Sequence, residues 1–139
     1  MLSERKMVLQ VFLNVAVDKA WELYNNPVHN EKWNAASDDW TCTIFCNEMV
    51  VGGRISAKME AKYGNISFDF EAVYDAVDHG KSFIYTKQDG RKFKTMFEDY
   101  NGSTKVTFAF DPDAAYSSEI QRQVWHKILN NYKNYAELM

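Results

Sequence analysis

The side chains with the widest chemical reach in this 139-residue chain are three histidines, two cysteines and one pair of adjacent aspartates. The histidines are His29, His79 and His126, and no two stand at i, i+4, so none forms a helical metal box. His29 falls in a short predicted helix, His79 beside Gly80 in a turn, and His126 on the polar flank of a long helix. Surface or capping roles are the expectation for the first two. Cys42 and Cys46, read as part of one strand, lie on the same face roughly 13 Å apart at ~3.3 Å per residue, too far for a disulfide. They read as reduced thiols packed like small apolar groups. Asp38-Asp39, bracketed by Trp33 and Trp40, has two readings. The carboxylates line a cavity mouth, or they accept from backbone N–H groups of a turn. General acid–base work needs surroundings that shift a pKa. Asp38, Asp39 and His126 are therefore weak candidates, and no catalytic constellation is visible. Nucleophile motif, P-loop and dinucleotide fingerprint are all missing from the sequence. Gly52-Gly53 reads as a bend or bulge opening a strand. Neither metal nor cofactor is expected.

The stronger signal is aromatic: nine Phe, eight Tyr and four Trp. Trp40, Phe68, Phe70, Tyr74, Tyr85, Phe93, Phe108, Trp125 and Tyr132 are expected to project into one interior space. One reading is a close-packed core. The other is a cavity paved by stiff rings, with Tyr O–H and Trp N–H groups orienting a ligand's polar end. Sixteen Lys+Arg against nineteen Asp+Glu leave a net charge of −3, which argues against nucleic acid as a partner. Lys92 and Lys94, with Arg91 beside them, read as a small solvated basic face that discourages edge pairing. The N-terminus shows no apolar leader, and no window approaches the ~18 apolar residues of a membrane span. The expected compartment is the cytoplasm.

These residues need elements to hold them. Leu9, Val11 and Leu13 alternate with Gln10 and Asn14, and Val8 and Phe12 add apolar character opposite, so a first strand covered on part of both faces is expected. Val17, Ala20, Trp21 and Tyr24 form one face of a helix. Asn25-Asn26-Pro27 stops it, and Pro27 opens a second short helix to about Trp33. From Trp40 the period is two. Ile55, Ala57, Met59 and Ala61 form one dry face. After a turn at Tyr63-Gly64-Asn65, Ile66, Phe68, Phe70, Ala72, Tyr74 and Ala76 form another. Asp78-His79-Gly80, Asp89-Gly90 and Asn101-Gly102 turn the chain between further strands marked by Phe83 and Tyr85, by Phe93, Thr95 and Phe97, and by Val106, Phe108 and Phe110. Ser118 with Gln121 has the form of a capping box. It opens a helix of about 20 residues in which Ile120, Val124, Ile128 and Tyr132 recur every four. The expected fold is α+β: a bent antiparallel sheet of about six or seven strands wrapped around a long C-terminal helix, as one domain over residues 1–139.

Several segments carry a likeness to a known family. They are the helix Asn14 to Trp21, Asn26-Pro27, the block Trp33 to Trp40, Val51-Gly52-Gly53-Arg54, Met59 to Lys62, Phe68 to Glu71, Gly102 to Val106 and Gln121 to Trp125. Together they resemble the START-like helix-grip (SRPBCC) superfamily, and within it the branch named after the activator of the heat-shock-protein-90 ATPase. Two departures are local: Val15-Ala16 lacks the proline usual at the helix start, and Val124 stands where the branch has glycine. The resemblance implies a cavity between sheet and helix that takes a small, largely hydrophobic molecule. Trp40, Phe68, Phe70, Tyr74, Tyr85, Phe108, Trp125 and Tyr132 are its expected walls. It also implies an alternative, a protein-interaction module acting as a chaperone cofactor. Some members of the superfamily cyclise or dehydrate polyketides.

Overall fold

The computed structural model describes residues 6–63 and 65–139, so Gly64 of the expected turn lies outside the described residues. In chain order the elements are β1 (Met7–Leu13), α1 (Val17–Asn25), α2 (Pro27–Trp33), β2 (Trp40–Asn47), β3 (Arg54–Ala61), β4 (Ser67–Asp78), β5 (Ser82–Lys87), β6 (Lys92–Tyr100), β7 (Ser103–Phe110) and α3 (Ser118–Leu138). Antiparallel pairing runs in the order β1-β7-β6-β5-β4-β3-β2, a meander closed on one side by the first strand. The sheet is curled, and its concave face holds the helix-grip arrangement the alternation requires.

Local chemistry explains the breaks between elements. Asn26 caps α2 by accepting from Val28 N at 3.0 Å, while Pro27 fills the first helical position, where no N–H is needed. Asn101 and Gly102 both take positive φ, 53° and 94°, and make the two-residue turn that joins Tyr100 to Ser103. Gly53 has a different reason to be glycine, because an added Cβ would sit 2.0 Å from the Glu48 carbonyl oxygen.

The closed core lies at the β1 side. Leu9, Leu13, Val106, Phe108 and Phe110 from the sheet meet Ala20 and Leu23 of α1 and Leu129, Tyr132 and Ala136 of α3. The Tyr132 hydroxyl donates to the Ala20 carbonyl at 2.6 Å, which ties the two helices together. Along the free edge of β1, Lys133 Nζ donates to Phe12 O at 2.5 Å and Arg122 to Val8 O at 3.4 Å. The long helix thus occupies the edge groups that an open strand would leave unpaired.

Four expectations change in detail. The outer face of β1 is open, since Val8 and Phe12 are exposed and Phe12 only leans on Tyr100 at 5.9 Å. Ser117, not Ser118, caps α3, accepting from Ile120 N at 3.1 Å. Strand β6 lies between β5 and β7, so Lys92 and Lys94 guard no edge. Finally, two irregularities break the period of two, one between Ile44 and Cys46 and one between Tyr74 and Ala76. Residues directly opposite in an antiparallel pair share a face. Beyond the first break Cys46 pairs with Ser56 on the outer face, so Cys42 and Cys46 do not share one. Beyond the second, Ala76 turns outward opposite Ile84, and Val77 takes the inner place opposite Phe83.

Candidate functional site

Helix α3 is fastened to β1, α1 and α2, and this leaves most of the inner face of β3 to β5 without a helix on it, although Phe83 of β5 meets Trp21 and Tyr24 of α1. The sequence pattern there is apolar nonetheless. Ile55, Met59 and Phe70 are only half-buried, and Phe68 is 51% exposed. The apolar stripe of α3 behaves the same way along its length. Ile128 and Tyr132 are buried, whereas Val124, one turn earlier, is 40% exposed. A cleft of about 610 Å³ lies between the two uncovered surfaces, with Val124, Trp125 and Ile128 on the helix side. The valine that replaces the expected glycine is therefore part of the wall.

Rings pave the sheet side and lock one another. Phe70 meets Tyr85 edge-on at 5.8 Å, and Tyr74 meets Phe83 edge-on at 5.9 Å. Tyr85 stacks on Phe93 at 5.3 Å. Contacts of this kind favour a few fixed ring orientations, which keeps the walls from collapsing inward.

Amides line one end. The break near Cys46 turns Asn47 inward opposite Ile55. Its side chain accepts from the Tyr74 hydroxyl at 2.5 Å and donates to the Asn25 carbonyl at 3.0 Å. Asn30 donates to Tyr24 O at 2.7 Å, and Asn34 donates to the Asn30 side chain at 2.9 Å. Burial pushes the phenols of Tyr74 and Tyr85 well above their ordinary range. Burial likewise pushes Tyr24 up to about 12. These hydroxyls act as neutral donors, not as bases. Burial, reinforced by the Glu31 charge, pushes the Cys42 thiol up to about 11, which leaves it a poor nucleophile.

The other end carries charge. Lys87 and Arg91 line the cleft with Asp113, Tyr116 and Gln121. Arg91 Nε donates to Asp89 at 2.9 Å, and its guanidinium lies 5.3 Å over the Phe93 ring. Gln121 does not complete a capping box. It is buried and braces the loop before α3, donating to Asp113 O at 2.8 Å and accepting from Asp113 N at 2.8 Å.

The expected wall residues separate into three groups. Phe68, Phe70, Tyr74, Tyr85 and Trp125 line this cleft, as does Phe93. Trp40 packs on Phe68 at 5.8 Å but faces a neighbouring polar depression of about 540 Å³, which Asp38 shares. Phe108 and Tyr132 lie in the closed core, Phe108 4.8 Å from Trp125 and Tyr132 4.8 Å from Trp33. Asp38, Asp39 and His126 are exposed, and His29 meets the Tyr135 hydroxyl at 2.7 Å. Asn47 and Lys87 escaped the sequence reading, and Asn25 and Arg91 read there as a helix stop and a solvated face, not as parts of a site. Only the pattern of Lys87, inward two residues after Tyr85 and four after Phe83, could have signalled its place. Among the described residues no group of three His, Cys, Asp or Glu is placed to hold a metal ion. No described helix is long and apolar enough to cross a membrane.

Residues 14–137 match the family model described as Activator of Hsp90 ATPase homolog 1-like protein. Among solved structures, the chain is similar to an AHSA1-like protein from Aeromonas hydrophila, with 31% identity, 96% of this chain and 93% of that chain covered, and a TM-score of 0.89. It is also similar to a protein from Cytophaga hutchinsonii, with 36% identity, 95% and 92% covered, and a TM-score of 0.81. A protein from Chromobacterium violaceum shares the fold at 15% identity, with 97% and 99% covered and a TM-score of 0.86. No curated protein matches the chain.

Proposed function

The chain belongs to the Activator of Hsp90 ATPase homolog 1-like family, and from that premise we propose that it binds a small, largely apolar molecule in the cleft between sheet and α3. It would act as a cytoplasmic carrier or sensor. One observation carries the reading: two apolar surfaces, the β3–β5 inner face and the Val124–Trp125 turn of α3, face each other across about 610 Å³ without touching. That volume falls within the roughly 300–1,000 Å³ of small-molecule sites. Exposed apolar surface gains about 25 cal/mol per Å² when a guest covers it. Trp33 and Trp125 both line the cleft and report on its occupancy. Titrating lipids, flavonoids and polyketide-like molecules should give a saturable change in Trp fluorescence together with a raised unfolding temperature. No response in either signal across the panel would overturn the proposal.

The chaperone-cofactor reading draws on a different surface. Val8, Phe12 and Tyr100 are exposed on the outer face of the sheet, with Lys105 Nζ 5.3 Å over the Tyr100 ring. Exposed apolar residues in contact mark protein-binding surfaces more often than isolated ones do. A chaperone ATPase rate raised by the wild-type chain but not by Phe12→Ser would favour this reading, and an unchanged rate with both would count against it.

A further inference from the structure

The charged end of the cleft specifies the guest further. We propose that the cleft selects small carboxylic acids: an apolar body lies among the rings and the carboxylate docks on the Lys87 ammonium. This rests on the reading of the cleft as a binding site. Lys87 is the last residue of β5, on the inner face opposite Ala72. Its side chain is 20% exposed, and its Nζ lies 5.6 Å from the centre of the Phe70 ring, one of the walls. Among the described residues no atom accepts a hydrogen bond from Nζ. The nearest carboxylate oxygen, Asp89 Oδ2, is 3.9 Å away and already accepts from Arg91 Nε at 2.9 Å. The other Asp89 oxygen accepts from Arg91 N at 3.1 Å.

The remaining charges at this mouth are Arg91 and Asp113. The Arg91 guanidinium is spread over Asp89, Asp113 at 3.9 Å and the Asp111 carbonyl at 3.5 Å. Asp113 Oδ1 accepts from Ala115 N at 2.9 Å. Lys87 and Arg91 therefore stand against Asp89 and Asp113 at this mouth, and Lys87 alone of the two cations has its donors unused. Burial, with the Arg91 charge second, already holds the Lys87 pKa below its ordinary value. A neutral guest covering the mouth would strip more water from this ammonium and return at most an uncharged acceptor. A carboxylate supplies the missing acceptor together with the opposite charge.

The test uses matched pairs with the same body, biphenyl-4-carboxylate against biphenyl-4-carboxamide and decanoate against decan-1-ol, titrated by Trp fluorescence and calorimetry. The wild-type chain should bind each acid about ten-fold more tightly than its neutral partner, a preference that shrinks with added salt. Lys87→Met should bring each pair to within about three-fold, the acid losing more affinity than its neutral partner, and Lys87→Arg should preserve the preference. Thermal unfolding of both variants checks that they fold. If neutral guests bind the wild-type chain as tightly as acids, or if the preference survives Lys87→Met, the head-group assignment is wrong while the cleft remains a binding site. If neither member of any pair binds, both proposals fall.

Discussion

The hydroxyl of Tyr74 on β4 donates to the side-chain carbonyl of Asn47 at the end of β2, two strands away, at 2.5 Å. Between them the backbone of Gly53 closes the gap, accepting from Tyr74 N at 2.9 Å. Tyr74 is 2% exposed, so its hydroxyl has no ready substitute in water.

Replacing Asn47 with Leu should therefore cost about 1–3 kcal/mol, the penalty for a buried polar group left unpaired. Adding Tyr74→Phe should recover part of that loss, because both partners then become apolar. Urea denaturation of the two single variants and the double variant measures the coupling, and strictly additive effects would refute the pairing.

Gly53→Ala places a methyl group against the Glu48 carbonyl, a fixed backbone atom. The β2–β3 connection must then shift, and the expected loss is about 3 kcal/mol or more. Gly52→Ala is the useful comparison. Its added carbon meets nothing within 4 Å, and only its φ of +83° resists the change. Chemical denaturation should rank Gly53→Ala clearly below Gly52→Ala.

Filling the cleft should separate binding from folding. Val124→Trp extends a ring from an exposed position of α3 into the space between helix and sheet. Affinity for any guest should fall at least about ten-fold, with the unfolding temperature shifted by only a few degrees. A variant that bound as tightly as the wild-type chain would place the guest elsewhere.

Stability should decline under alkaline conditions. Burial raises Cys42 from its ordinary 9.0 to about 11 and Tyr24 from 10.0 to about 12, and moves Tyr74, Tyr85 and Tyr132 in the same direction. Each is neutral when protonated, so from about pH 9 upward the unfolded chain releases protons that the folded chain retains. The contribution is complete below the ordinary values and disappears as the pH climbs through the raised ones. Urea midpoints measured from about pH 8 to about pH 11 should fall steadily at the upper end, and a flat profile would contradict the burial of these groups.

Much of this architecture was legible in the residues, and the exceptions share a cause. Alternation marked the strands, Pro27 and Asn26 marked the second helix, and Asn101-Gly102 marked a hairpin. A period of two cannot show where it will be interrupted, and both interruptions matter. One brings Asn47 into the cleft and the other turns Ala76 out. Apolar pattern also cannot distinguish a wall from a core. Phe108 carries the same alternation as Phe70 and Tyr85, and Tyr132 the same helical stripe as Val124, yet both end in the closed interior because α3 leans toward β1. The charged end stayed hidden for a related reason. Arg91 reads with Lys92 and Lys94 as a small solvated basic face, and nothing singles out Lys87 until the path of the helix shows which mouth they stand at.

That lean has a consequence for how such a scaffold diversifies. The contacts that anchor the helix, Tyr132 with Ala20 and Lys133 with Phe12, are made on the side away from the cleft. The cleft-facing side chains of β3 and β4 that are not buried, Ile55, Met59, Phe68 and Phe70, are therefore at liberty to change size and polarity while the hinge of the grip stays intact. One frame can in this way present clefts of different shape and polarity through substitutions that the folding equilibrium scarcely registers.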